Sequence, residues 1–485
     1  MQHHDILIIG SGFGGQCAAI NLLQRGYTDF VLLERRDFMG GTWCQNSYPG
    51  AAVDVQSPLY SISHEPYVWS QMFVEQAELE AYTHHVIDKY KLRERTKTGC
   101  NVIGVRWDEA AQRWQVQTEA FGTLSARVVI NASGPLSTPV IPPFPGRDSF
   151  AGATFHTNNW QHDVALQGKR VAIIGSGASA AQVIPAIAPE VAHLHVFQRT
   201  PHWVMPRPDR RFSALERKLL AFKPLHTLLR TLIYWQLEAR VIGFKYSHTL
   251  LKLFAQKAAL RHIHRQIADP VLRAAVTPDY TLGCKRVILS NTLYPALARN
   301  NVTLHTAQSG IAEITPTGIR TQDGQEVPLD VIVYSTGYDA TDGVISYPVV
   351  GRDKRTLADF WAQFPRAYLG TCMPGFPNFF VVTGPNTGIG HTSAIFVIEA
   401  QMHYIMHSLD ALRRNGKQAI EVQPQAEASY TAMIHSEMRQ TVWKSGGCKS
   451  WYQSKSGHVI AMFPGFSFSF RQLAKRFKLA DHTLT

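Results

Sequence analysis

The sequence predicts an α/β fold of two Rossmann-like dinucleotide-binding domains, with a helical insertion in the second. Three observations carry that reading. A strand, a glycine turn, a helix and a second strand follow one another near the start of the chain; the same order recurs 165 residues later; and a leucine- and aromatic-rich helical stretch follows the second copy.

The first unit opens on the apolar run Ile6 to Ile9, too short for a helix and rich in β-branched residues, so it reads as a buried strand. Gly10, Gly12 and Gly15 then form G-x-G-x-x-G, followed by an apolar helical stretch to about Arg25 and a strand from Phe30 to Leu33. Glycines at that spacing allow the tight turn and let backbone amides approach a pyrophosphate at the positive end of the helix. Glu34 ends the second strand, where a carboxylate accepts hydrogen bonds from a ribose diol.

The second unit begins at Arg170 with VAIIG, continues through Gly175, Gly177 and Ala180 and a helix to about Ile187, and closes with the strand LHVFQ. No acid stands at that strand's end. Arg199 and Thr200 follow Gln198 instead, a pair suited to a 2′-phosphate, which selects NADPH over NADH. An acid-type site followed by an arginine-type site predicts FAD plus NADPH. Flavin disulfide reductases and flavin monooxygenases both use such a pair, but the reductases need a vicinal cysteine pair. Cys17, Cys44, Cys100, Cys284, Cys372 and Cys448 supply none, so oxygen chemistry is expected.

Between about 208 and 275 the chain turns to helical periodicity with almost no glycine, the expected insertion. Met205 to Ala275 holds 14 Lys or Arg against 4 Asp or Glu, a local +10 within a total of +12. The rest is nearly balanced, which argues against a general nucleic-acid binder. Two readings of the segment stand: an amphipathic basic surface in peripheral contact with an anionic membrane, or a helical cap packing its apolar face on the NADPH domain. From Val331 a buried strand, VIVYSTGY, and the stretch GFPNFFVVTGPNTGIGHTS lead to a long helix, whose Ile395, Ile398, Met402, Ile405, Leu409 and Leu412 share one face. The expected division is 1–140 and 331–485 for FAD, the latter with a C-terminal substrate-cavity segment, and 141–330 for NADPH.

Composition sets the outer bounds. Apolar residues make up 45% and charged residues 17% of 485, which excludes a disordered chain. The scattered cysteines show no zinc-ligand spacing, so no metal site and no disulfide framework are expected, and a reduced cytoplasmic setting fits. No secretion signal or spanning helix is read from the sequence.

Four stretches carry a resemblance. FAGATFHTNNWQ places Phe150, Gly152, His156 and Trp160 in F-x-G-x-x-x-H-x-x-x-W, and GGTWCQNSYPGAAVD places Gly40, Gly41, Trp43, Tyr48, Pro49, Gly50 and Asp54 in a second ordered pattern. GCKRVILSN contributes Lys285 and Arg286, and VYSTGY with GPNTGIGHTS contributes Thr336, Gly337 and Asn386. Together they resemble the Baeyer-Villiger branch of the flavin-containing monooxygenases over nearly the whole chain. The departure is Gln161, where that family usually has Pro or Asp.

The resemblance implies an FAD- and NADPH-dependent enzyme that inserts one oxygen atom of O2 beside the carbonyl of a lipophilic ketone through a C4a-peroxyflavin. Oxygenation of sulfur or nitrogen, or hydroxylation of a long hydrocarbon, is the alternative. It implies catalytic roles for Arg286, whose guanidinium offers a permanent charge and a donor fork, and for Asp54, which holds that fork. Lys285 joins Arg199 at the 2′-phosphate, and Trp43, Thr336, Gly337 and Asn386 join the glycine turn and Glu34 at FAD. His156 reads equally as a buried link between domains and as a catalytic group. The oligomeric state is left at monomer or homodimer.

Overall fold

The computed structural model describes residues 2–341 and 343–485. Its first sheet is built outward from the strand Gln2–Ile9, which runs parallel to Phe30–Leu33 on one side and to Gly122–Asn131 on the other. Ile6, Leu7 and Ile8 have no exposed surface because helices and chain cover both faces, which is why the strand reads as an unbroken apolar run rather than an alternation. Thr96–Lys97 extends one edge in parallel, Val102–Asp108 and Arg113–Thr118 add an antiparallel hairpin at the other, and Phe379–Val381 pairs with the C-terminal end of Gly122–Asn131. The second sheet is parallel throughout, in the order Val302–His305, His193–Phe197, Arg170–Ile174, Val331–Tyr334, Ala153–His156.

The helix Phe13–Gln24 and the helix Ala178–Ile187 follow the first strands of the two units, as the glycine spacing predicts. Each connects two parallel neighbours, and each buries an apolar face that contributes on the order of 1.5 to 3 kcal/mol per fully buried large side chain. The long helix Ala394–Asn415 buries all six apolar positions read from its sequence and packs against Phe13–Gln24. Ser393 caps it by accepting from the Ile395 amide at 3.2 Å. Between the sheets the chain crosses on two segments that pair with each other: Val140 donates to Gly337 O at 2.9 Å and Asp339 to Thr138 O at 3.0 Å.

The expected insertion is helical, with helices Ala214–Leu220, Lys223–Glu238, Lys257–Gln266 and Pro270–Val276 and two π-type turns, Ile242–Tyr246 and Leu251–Gln256. Its packing differs from a cap on the NADPH domain. Only the later helices, through Ile263, Ile267 and Val276, join the core of the second sheet. The helix Lys223–Glu238 instead sets Ile233 and Leu237 on Leu59, beside Val55 and Met72. Leu229 and Tyr234 pack beside them, while Leu225, Leu228, Leu232 and Trp235 face outward.

The expectation of no disulfide is corrected: Cys284 and Cys448 are bonded across 164 residues. Sequence spacing reports only local pairs, and this one is made by tertiary packing. Gly446 lies so close that a Cβ there would meet Cys284 Cβ at 2.7 Å, so only glycine lets the C-terminal loop reach that cysteine. Among the described residues, no helix is long and apolar enough to cross a membrane.

Candidate active site

The first glycine turn is dictated by close approach. Gly10 holds φ +103°, and a Cβ there would meet Ala132 O at 2.5 Å; a Cβ on Gly15 would meet Gly10 O at 2.0 Å. Gly12, the N-cap of the helix Phe13–Gln24, offers no side-chain cap, so the first amides of that helix are left for another acceptor. They open on a cavity of about 250 Å3 lined by the turn, Glu34, Arg36, Gly41, Thr42 and Ser133, among others. Ser133 Oγ is buried there without a hydrogen-bond partner among the described residues. Free helix amides, an unpartnered hydroxyl and a carboxylate on one cavity are what a dinucleotide diphosphate and ribose require, so these residues fit FAD. Glu34 also holds the turn itself, accepting from the Ser11 amide at 3.0 Å and the Ser11 hydroxyl at 2.7 Å.

The segment after the second strand positions everything that follows. A Cβ on Gly41 would meet Gly12 Cα at 2.6 Å, so glycine here brings the next turn against the first. Trp43 donates to Tyr60 OH at 3.1 Å and meets its ring edge-on. Burial pushes the Tyr60 phenol up to about 12, so it stays protonated. Tyr48 bonds Gln182 Oε1 at 3.0 Å, and Gly50 touches the backbone of the same helix turn, which docks the segment on the second domain. From there Asp54 reaches Arg286.

That pair is the chemical centre. Arg286 Nε donates to Asp54 Oδ2 at 2.8 Å, and Nη2 donates to the same oxygen. The Asp54 charge, outweighing burial, raises the Arg286 pKa, so the guanidinium is charged at every accessible pH. With Nε and Nη2 committed to Asp54, the remaining N–H groups of the fork are free to point at another acceptor. Around it lie apolar residues of the C-terminal segment. Trp443, Tyr452, Val459 and Met462 pack with Leu282 and Cys284, and the disulfide fastens that wall next to the arginine. Sequence reasoning missed Tyr452, whose phenol burial pushes up to about 12 within reach of Arg286 and Asp54.

The second turn repeats the design with a different charge. Gly175 holds φ +124° with Ser335 O at 2.2 Å from its would-be Cβ, Ala180 is fully buried, and the space before Gly177 is open. The helix Ala178–Ile187 again has no side-chain cap. Arg199 is exposed and Thr200 partly buried, beside Lys285. Burial, then the neighbouring Arg199, lowers the Lys285 pKa. Two cations held together beside open helix amides fit a phosphate, and Lys285 and Arg286 serve different partners from adjacent positions, Arg199 beside the one and Asp54 bound to the other.

Other sequence candidates hold the walls. Thr336 donates to Val140 O and Gly337 accepts from Val140, both on the crossing segments rather than on the flavin cavity. Asn386 commits its amide to Val459 O and Met462 O, each at 3.0 Å, which anchors the C-terminal wall. The Gly388 amide donates to Ala461 O at 2.7 Å on the same wall. His156 accepts from the Asn158 amide at 3.0 Å, and burial lowers it to about 4, so it stays neutral. Its neighbour Asn158 accepts from Gln45 and donates to Tyr338 OH, tying the two domains. Gln161 lies in a turn whose carbonyl accepts from Val164.

Two further groupings were not legible in advance. His391 and Glu238 meet at 3.1 Å in full burial, with Ser467 donating to Glu238 at 2.8 Å. Burial acting alone would raise the Glu238 carboxyl; the bonds from His391, Ser467 and Phe468 outweigh it and keep it ionised. Cys44, Glu80 and His84 bring donor atoms within 4.8 Å of one another. Burial pushes the Cys44 thiol up to about 12, and Arg93 donates to His84 Nδ1 at 3.2 Å; both features disfavour a cation.

Comparison with known proteins follows the same lines. Residues 7–221 match the family described as "Pyridine nucleotide-disulphide oxidoreductase". Across 99% of this chain and 92% of its own length, a Baeyer-Villiger monooxygenase of Streptomyces coelicolor is 44% identical. One of Pseudomonas aeruginosa is 42% identical across 100% and 92%. Among solved structures, cyclohexanone monooxygenase from Rhodococcus sp. Phi1 bound to NADP+ superposes with TM-score 0.89 at 29% identity over 100% of this chain and 99% of that one. OTEMO in complex with FAD and NADP superposes with TM-score 0.89 at 27% identity over 99% of each.

Proposed function

The chain belongs to the Baeyer-Villiger monooxygenases, FAD- and NADPH-dependent flavin enzymes, and from that premise we propose that it converts a lipophilic ketone into an ester or lactone with one oxygen atom of O2. The observation that carries the reading is the fork of Arg286 held on Asp54 beside an apolar wall. Bound FAD, reduced by NADPH, supplies the activation of oxygen. The protein's own part is electrostatic and positional.

Arg286 holds a fixed positive charge where negative charge develops on the attacked carbonyl, and Asp54 prevents the guanidinium from reorienting as that charge appears. Because the pair is set in place before reaction, no reorganisation is needed at that moment. The helix amides after Gly12 hold the diphosphate of FAD, Glu34 its ribose, and Trp43, braced by Tyr60, the flank of the ring. Arg199, Thr200 and Lys285 read the 2′-phosphate of NADPH, whose diphosphate lies on the amides after Gly177. Thr336, Gly337 and Asn386 serve FAD by fixing the crossing segments and the C-terminal wall. The strand Val331–Tyr334 belongs to the second sheet, so the partition is 1–140 with 335–485 for FAD and 141–334 for NADPH, and the working unit is a monomer or homodimer.

Leu282, Val459, Met462 and the rings of Trp443 and Tyr452 favour an apolar substrate body with one carbonyl directed at Arg286. Ketone-dependent NADPH oxidation by the FAD-loaded enzyme tests this. Long-chain or cyclic ketones should raise the rate over the substrate-free background, and a panel in which only sulfides or amines do so would contradict it.

A further inference from the structure

The exposed apolar side chains of this protein are concentrated in one place. Among the described residues, twelve of the twenty-two exposed large hydrophobic side chains fall between Leu215 and Phe254. On the helix Lys223–Glu238 the exposed Leu225, Leu228, Leu232 and Trp235 are spaced by three, four and three residues, so they form one stripe, opposite the Ile233 and Leu237 that the fold buries. Trp235 is 55% exposed and Leu232 60%. The stripe continues through rings: Trp235 approaches Phe468 at 5.9 Å, Phe468 stacks on Phe466 at 5.0 Å, and Phe466 stacks on Tyr246 at 6.0 Å. Tyr246 leads to the exposed Leu250, Leu253 and Phe254. A continuous apolar surface of this extent is foreign to a free-standing soluble face.

Its rim is basic. Arg211, Arg217, Lys218, Lys223, Lys252 and Lys257 are exposed, while the acids between them are committed: Glu216 to Arg210 and its helix cap, Glu238 to the buried His391. Arg230, which the sequence also counts among these cations, is turned inward to Pro58 O and Ser61. We infer that this surface rests on an anionic lipid bilayer, with the apolar stripe in the acyl boundary and the basic rim on the head groups. Charge decides between lipid and a second copy of the chain, because two copies would bring the exposed cations of one rim against those of the other, whereas an anionic membrane complements both features. The surface adjoins the site, since Tyr234 on the same helix stacks on Phe396 in the first turn of the helix Ala394–Asn415. A lipid-dissolved substrate would enter from that side.

The inference does not depend on the ketone reading, because binding is measured without substrate. The FAD-loaded enzyme is sedimented at low salt with vesicles of phosphatidylcholine alone or with added phosphatidylserine. Binding is expected with the anionic vesicles only, weakening with salt, and falling about fivefold for each basic residue removed from the rim. Leu228→Ser/Leu232→Ser/Trp235→Ser and, separately, Arg217→Glu/Lys218→Glu/Lys223→Glu should each abolish it while leaving flavin content and NADPH oxidation unchanged. No binding to anionic vesicles at low salt overturns the inference, and so does equal, salt-independent binding to both vesicle types. A homodimer in light scattering that the serine variant dissolves, without vesicle binding, assigns the face to a second copy instead.

Discussion

Replacing Arg286 by alanine separates the two halves of the proposed reaction. A unit charge about 4 Å from a developing negative charge contributes about 4 kcal/mol at an effective dielectric near 20. The Arg286 side chain is 39% exposed, so solvent screening trims this to about 3 kcal/mol, a loss of roughly a hundredfold. The stranded Asp54 carboxylate would then face the same developing anion and act in the same direction. Arg286→Lys keeps a charge but loses the double hold on Asp54 Oδ2, and one charge-assisted bond of about 1.5 kcal/mol predicts roughly a tenfold loss. The assay is two-part: flavin reduction by NADPH in the absence of oxygen, then ester formation in its presence. Reduction should stay within a few-fold of wild type in both variants while ester formation falls in the stated order. Ester formation near the wild-type rate in Arg286→Ala would refute the placement of that charge at the reacting carbonyl.

Three further outcomes follow from the geometry. Arg199→Ala should raise KM for NADPH and leave that for NADH nearly unchanged, because only the former carries the 2′-phosphate; equal effects on both would remove Arg199 from that contact. Cys448→Ser, or reduction by a dithiol, opens a 164-residue link, a stabilisation of up to about 5 kcal/mol on chain-entropy grounds, so the thermal midpoint should fall and ester formation should drop more than flavin reduction; unchanged melting with and without the dithiol would contradict the bond. His156, His195, His202, His226 and His403 are each lowered to about 4, chiefly by burial. Between about pH 6.5 and 4 the unfolded chain binds protons that the folded one refuses, so stability should fall with decreasing pH by at most about 1.4 kcal/mol per unit for each, and a denaturant midpoint unchanged from pH 7 to 5 would contradict this.

What the sequence made legible was what depends on local period and local turns. The strand Gln2–Ile9, the helices Phe13–Gln24 and Ala178–Ile187 and the buried face of Ala394–Asn415 announce themselves because each is apolar in its own repeat and is punctuated by glycine or a cap. The pairing of Asp54 with Arg286 spans 232 residues and has no local signal; it came into view through the ordered motifs around each residue. Cys284 with Cys448 had neither a local signal nor a motif. Glu238 carries no sequence signal of its own, and its burial on His391 and Ser467 is set by tertiary packing. The insertion was legible as helix but not in its packing. Amphipathic spacing identifies an apolar stripe without saying which of two stripes the fold will cover, and here Ile233 and Leu237 went in while Leu228 and Leu232 stayed out. Asn386 and Thr336 carry a similar lesson: their side chains are committed to backbone carbonyls that hold the walls, a task the motif does not distinguish from touching the cofactor.

The most direct test of the account is the fate of labelled oxygen. The FAD-loaded enzyme, NADPH and 18O2 are incubated with matched lipophilic ketones, sulfides, amines and alkanes, and the products are read by mass spectrometry. The account predicts an ester or lactone from a ketone, carrying one labelled atom, and the same product lost in Arg286→Ala. Labelled sulfoxide, N-oxide or alcohol as the only products, with every ketone returned unchanged, would contradict it.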